Sequence, residues 1–195
     1  SVTGGTRGEA SVGASFNYRK QGLAIAVNAG YSYNRYAGYG YSIRNNIYKD
    51  SSNFFNTTNN YTNKSNRPNF RVNIDYDINK NNLLNLTLNY NQNNFDNYNL
   101  TEYQNINRFD ELWRLSQRTI QSTGVNNNPN MSLSYTLKGK PGETLRIITS
   151  YSLSFNDNDR DFYQQYFNPD YTPNGLDSVQ RQENTTKVNG YTVRV

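Results

Sequence analysis

Neither cysteine nor histidine occurs in this 195-residue chain. Their absence excludes disulfide staples, thiolate nucleophiles, imidazole acid–base chemistry and ordinary zinc sites together. Long hydrophobic runs are missing too. Nothing approaches the ~18 apolar residues of a membrane-spanning helix, and Ser1–Ala10 has no apolar stretch of the kind a signal peptide needs. Hydrophobic residues make up only 34%, with one Trp and one Met. A chain this polar would be disordered if it were also poor in aromatics. It is not: aromatics are 14%, including 18 Tyr, and Asn fills 35 positions. The 20 basic and 15 acidic residues leave a net charge of +5 without forming a block, which reads as a solvated surface and not as a nucleic-acid patch. No nucleophile–base set stands out, so the expectation is a non-enzyme, with no cofactor and no bound nucleic acid.

What the chain does have is alternation. Leu84, Leu86, Leu88 and Tyr90 are interleaved with Asn85, Thr87 and Asn89. The same two-residue period runs through Val12–Tyr18, Leu23–Tyr33, Phe70–Ile78, Met131–Leu137 and Leu145–Phe155, which predicts six strands. Turn-forming residues pair them into three hairpins, with short turns near Gln21, Asn81 and Lys140. Thr185–Val195 begins a seventh strand. Between hairpins lie long polar connections, expected as loops over 37–66, 96–128 and 156–183. A soluble sandwich would show turn signals every ~8–12 residues, whereas outer-membrane barrels alternate short turns with long outer loops. The fold class expected is therefore all-β, an antiparallel up-and-down meander forming part of a transmembrane β-barrel. The whole of 1–195 is one barrel section of about seven strands.

Aromatic placement supports this reading. Tyr18, Tyr76 and Tyr135 sit just before the short turns, while Tyr31, Tyr33, Tyr90, Phe95, Tyr151 and Phe155 mark the far ends of the return strands. At ~3.3 Å per residue and a tilt near ~40°, each residue climbs roughly 2.5 Å along the barrel axis. The steps from Leu145 to Phe155 then span about 25 Å, the height of a barrel's apolar band. These nine aromatics are the expected lipid-facing girdles. Arg71, Asp75, Asp77 and Arg146 fall on the opposite, small and polar face, and are expected to face the lumen. The chain stops inside its seventh strand, and seven strands do not close a single-chain bacterial barrel; a section of something larger is expected.

Three stretches carry a resemblance: GGTRGEASVGASFNYRKQGLAIAVNAGYSYN (Gly4–Asn34), RPNFRVNIDYDINKNN (Arg67–Asn82) and SLSYTLKGKPGETL (Ser132–Leu145). They resemble barrel hairpins of the Bacteroidota outer-membrane β-barrel family, relatives of TonB-dependent transporters. The likeness is one of pattern and composition along nearly the whole chain. It implies a large barrel in the bacterial outer membrane, holding a plug domain and importing a bulky solute. The implied partners are outer-membrane lipid, the remainder of the barrel and its plug, and a surface lipoprotein or TonB through parts this stretch lacks. A second reading, of a different class, is a soluble secreted β-sandwich that binds glycans or surface ligands through its Tyr-rich segments.

Three local features have specific alternatives. Asp157, Asp159 and Asp161 alternate as calcium ligands do, but an EF-hand counted from Asp157 needs Gly and Glu where Phe162 and Asn168 stand; a solvated turn is expected. Phe109–Leu115 is read either as a turn or two of helix or, following the resemblance, as the approach to an extended strand over Trp113–Gln121, with Trp113 as a packing residue. Tyr31–Tyr41, with Arg35 and Arg44, is read as a girdle followed by a strand projecting above the membrane, in preference to a stacking platform.

Overall fold

The structure, a computed structural model, describes residues 1–5, 8–47 and 53–195. Nine strands make it up: β1 (Val2–Gly5), β2 (Glu9–Lys20), β3 (Leu23–Asn46), β4 (Asn53–Asn79), β5 (Asn82–Ile106), β6 (Leu112–Asn127), β7 (Asn130–Lys138), β8 (Thr144–Phe167) and β9 (Ser178–Arg194). All pairings are antiparallel and all belong to one sheet. No helix occurs among the described residues, so Phe109–Leu115 does not coil. Instead the Asn107 side chain accepts from the amides of Phe109 (2.9 Å) and Glu111 (3.0 Å), closing a tight turn into β6.

β6 and β7 are two halves of one traverse. Asn126 faces Asn93 and Asn130 faces Asn89, so the register against β5 is the same on both sides of Asn128–Pro129. Pro129 has no N–H to give to the ladder, yet its carbonyl accepts from Leu153 (3.0 Å), and Asn128 donates to Asn91 (2.9 Å). The chain is thus a plain meander in which each traverse lies beside the next. No pairing joins β9 to β1 or β2 among the described residues, so the sheet has two edges.

The short turns fall where the sequence places them. Gln21 and Gly22 both have positive φ (46° and 83°), the geometry of a two-residue turn whose twist matches its flanking strands. The Asn79 carboxamide accepts from Asn81 (2.9 Å) and Asn82 (3.0 Å) to close the second turn. Gly139 and Glu143 bridge the third by a 3.0 Å backbone bond.

The expected long loops are a correction. Apart from Ile47, which follows the end of β3, and 48–52, which lie outside the described residues, 37–66 is strand; Asp96–Ile106 and Leu112–Asn127 are strand; Asn156–Phe167 and Ser178–Glu183 are strand. The count is likewise nine and not about seven, with β1 and β6 added. These stretches pair edge to edge while both their faces remain polar. They therefore lack the one-sided greasy pattern by which a strand announces itself.

There is no core in the usual sense. Leu115, 1% exposed, is the one buried apolar side chain among the described residues, and the other buried ones are Ser116, Ser122, Ser134 and Gln164. Large apolar side chains stand open, Phe16 at 58% and Tyr191 at 77%. What holds the sheet locally is close cross-strand fit. A Cβ placed on Gly124 would lie 2.6 Å from the Asp157 carbonyl oxygen and 2.6 Å from Cζ of Phe95, so glycine lets the Phe95 ring lie across the strand. Gly124→Val is expected to destabilise the intact protein by about 1–3 kcal/mol, as overpacking does, lowering its unfolding midpoint. An unchanged midpoint would show that the Phe95–Gly124 fit is not needed.

Candidate functional site: the two faces of the sheet

Because directly paired residues share a face, the register sorts every side chain to one side. One face carries continuous lateral rows. Tyr18, Ile25, Ile74, Leu86, Leu133, Thr149 and Val193 form one; Phe16, Val27, Val72, Leu88, Met131, Tyr151 and Tyr191 form the next. Below them run Leu23, Tyr76, Leu84, Tyr135 and Ile147. Between that lowest row and the row of Tyr31, no Lys, Arg, Asp or Glu stands on this face of the described strands; Lys20, opposite Leu23, and Lys187, opposite Phe155, mark its two margins. Here it is an apolar band.

The polar hydroxyls at its margins are tied down. Tyr31 donates to Asn66 (2.8 Å), Tyr90 to Gln92 (2.7 Å), Tyr151 to Asn189 (3.1 Å), and Tyr135 to Asn82. Tyr18, Tyr33, Tyr76 and Phe155 lie on the same face by register. Phe95 does not. It is an odd-numbered residue of β5, where the apolar face is even, and it pairs with Ser65 and Gly124 on the polar face. It lies five positions on from Tyr90, and an odd step in a strand changes sides.

The band ends abruptly. Pro68 and Pro129 stand near its upper margin, and above it the same face turns hydrophilic: Arg35, Lys64, Asp96, Thr123, Asp159 and Glu183 make one row. Lys64 pairs with Asp96 at 3.5 Å. Arg181 gathers three carboxylates, Asp159 at 3.2 Å, Asp161 at 3.8 Å and Glu183 at 2.9 Å. Asp157 accepts from the Thr185 hydroxyl at 2.6 Å. Asp157, Asp159 and Asp161 therefore lie in a strand and not in a turn. They already have partners, and no acidic cluster suited to a metal exists among the described residues.

The opposite face is polar throughout. Arg71, Asp75, Asp77 and Arg146 all fall on it. Asp75 accepts from Asn85 at 2.5 Å and Arg146 donates to Ser134 at 3.1 Å. A hollow of about 340 Å³ brings Asp75, Asp77 and Arg146 together with Arg19; Arg71 lies outside it. Four further hollows of about 250–460 Å³ are lined chiefly from this face. The four buried polar residues belong to it as well. Crowding and recesses on one side are what a sheet curved towards that side produces.

Other expected residues distribute over both faces. Trp113 is not packed: it sits at the bulge between Leu112 and Arg114 and is 52% exposed. Tyr39 and Tyr41 stay on the face of Tyr31, whereas Tyr36 and Arg44 are on the polar face, so the Tyr-rich segment is a strand and not one platform. Arg44 shares the polar face with four residues that had no earlier role, Arg67, Arg114, Arg118 and Arg160. The signal that finds them is the strand parity, continued beyond where hydrophobicity marks it. No protein-family model matches the sequence, and no curated protein matches it either.

Because the acidic row is already neutralised, adding millimolar calcium to the intact protein is expected to leave its thermal midpoint unchanged. A calcium-dependent rise, abolished by Asp159→Asn, would overturn this assignment.

Proposed function

We propose that the chain is an arc of an outer-membrane β-barrel belonging to a transporter or receptor of the TonB-dependent type, and that it serves uptake of a bulky solute. The observation that carries the reading is an apolar band, free of charge between its Lys20 and Lys187 margins, on a sheet one layer thick. Water does not favour such a face, and no second layer covers it among the described residues; lipid would. A band some ten residues tall, crossing tilted strands, matches roughly the 25 Å of hydrocarbon that such barrels span. The polar face, with its hollows, is then the lumen side. The strands above Pro68 extend about a dozen residues further, roughly 40 Å, and stand outside the membrane. The open edge of β9 finds its partner in the remaining strands, since closure is what removes edges from such a sheet. A plug domain, and a surface lipoprotein or TonB reached through other parts of the protein, are the partners of this reading.

A soluble sandwich accounts less well for the same features, because it needs a second sheet lying over the band. The test separates the two. Cell fractionation should place the intact protein in the outer membrane, with a gel mobility that shifts on boiling; recovery as a soluble monomer without detergent would sink the barrel. Substitution gives a second test. Leu88→Arg, on the band, is expected to cost roughly 2–4 kcal/mol of folded stability in lipid, while Thr87→Arg, one residue back and facing the other way between the uncharged Asn73 and Ser132, costs markedly less. Equal effects would contradict a lipid-facing band.

A further inference from the structure

Above the level of Pro68 the polar face carries positive charge of one kind. Register partners give each arginine its height on β6. Arg67 bonds Asn93, which faces Asn126; Arg160 faces Ser122; Arg118 and Arg114 are on β6 itself. Arg44 reaches the height of Arg114 through Phe55 and Asn105. Arginine therefore recurs at every fourth residue of height, roughly 13 Å apart. On β3, β4, β5, β6, β8 and β9 no Asp or Glu shares this face above Pro68 among the described residues; Glu9 on β2 stands at its lower margin. The carboxylates Asp96, Glu102, Asp157, Asp159, Asp161 and Glu183 all point the other way.

None of these five arginines makes an ion pair among the described residues, yet each is held in place. Arg44 lies over the Phe55 ring at 5.2 Å, Arg114 over Tyr166 at 5.4 Å, Arg118 over Tyr103 at 6.0 Å and Arg160 over Phe162 at 5.9 Å. The Nε of Arg118 donates to Gln164 (2.8 Å) and that of Arg160 to Ser122 (3.1 Å), both acceptors on residues only 7% exposed. Arg67 donates to Asn93 at 3.2 Å. Like charges held on one face without counter-charge repel one another, and a bound anion relieves that cost. Guanidinium offers carboxylate and sulfate a planar pair of N–H groups.

Between the arginines the face is built for hydroxyls. A hollow of about 460 Å³ is lined by Tyr61, Asn63, Asn97, Asn99, Ser122 and Arg160 among others, a volume in the range of ligand pockets. Carboxamides both donate and accept, as a dense array of hydroxyls requires. Single-stranded nucleic acid needs open aromatic faces for its bases, but four rings here already carry a guanidinium.

We propose that this face binds an anionic oligosaccharide lying along the strands, its carboxylate or sulfate groups on Arg118, Arg160 and their neighbours and its hydroxyls on the intervening Asn residues. The inference rests on the barrel reading, which makes this the path of the solute. The test uses the intact protein in detergent, with boiling-dependent mobility recorded for each variant as proof of folding. The ligands are an oligogalacturonate, a sulfated oligosaccharide and a neutral oligosaccharide of equal length, and a single-stranded oligonucleotide. One or both anionic sugars should bind at least about tenfold more tightly than the neutral one, and which does so identifies the anionic group. Arg118→Gln and Arg160→Gln should each weaken that binding about tenfold, the order expected for one charged hydrogen-bonding partner. Arg118→Lys should fall between, and Arg181→Gln on the other face should change nothing. Equal binding of the neutral sugar, tighter binding of the oligonucleotide, or an equal loss in Arg181→Gln would overturn the proposal. A folded, heat-modifiable protein without anionic preference fails this inference alone. A soluble protein with no mobility shift fails the barrel reading, and the arginine variants still decide the ligand.

Discussion

Everything distinctive in this molecule depends on antiparallel pairing that keeps its register over very long strands. β3 and β4 stay in step from Leu23 opposite Tyr76 to Asn46 opposite Asn53. β6 and β7 hold one register across Pro129. A slip of one residue anywhere would exchange the two faces above it, moving Leu and Val into the polar side and arginine into the apolar band. The pleat alone is indifferent to such a slip. It is fixed by the tight turns at Gln21–Gly22 and Asn79–Asn82, and by local fits such as the Phe95 ring against Gly124.

The same backbone carries two surface patterns along its length. Below Pro68 and Pro129 the two faces differ in polarity: aliphatic and aromatic on one side, Asn, Ser, Thr and a few charges on the other. Above that level the contrast in polarity nearly vanishes and a contrast in charge replaces it, with carboxylates on one face and unpaired arginines on the other. A single ladder of hydrogen bonds runs through both regimes, so the change is written wholly in side chains. The prolines sit near the junction, where each omits an amide from the ladder at the cost of about one net hydrogen bond.

How far the sequence discloses this follows from what a period-two pattern can signal. Leu84 to Tyr90 names its faces outright, because apolar and polar residues alternate there. The turns at 21, 81 and 140 are legible from their Gly, Asn and Lys residues. Asn97 to Gln104 gives no such contrast, since both faces are polar, and the strand there is visible only once its partners Thr101–Asn59 and Leu100–Thr119 are known. Phe95 misled for a related reason: an aromatic near the margin of the band resembles a girdle residue until its parity is counted. Asp157, Asp159 and Asp161 looked like a loop motif because alternation of carboxylates is common to calcium loops and to strands. The Arg181 that neutralises Asp159 and Asp161 lies twenty or more positions away, across a pairing no local window contains.

Energetics give the apolar band its weight. Ordering the backbone costs roughly 1–2 kcal/mol per residue, while each internal hydrogen bond returns about 0.5–1.5 kcal/mol net in water. Soluble sheets make up the difference by burying apolar surface, but here one apolar side chain is buried among the described residues. The exposed ion pairs around Arg181 add at most about 1 kcal/mol each. In hydrocarbon two terms change together: the band of Leu, Ile, Val and Tyr leaves water, and an unmade backbone hydrogen bond becomes prohibitively costly. The ladder that is marginal in water is then nearly obligatory. On the proposed reading, the membrane supplies the apolar layer that a second sheet would supply in a soluble protein.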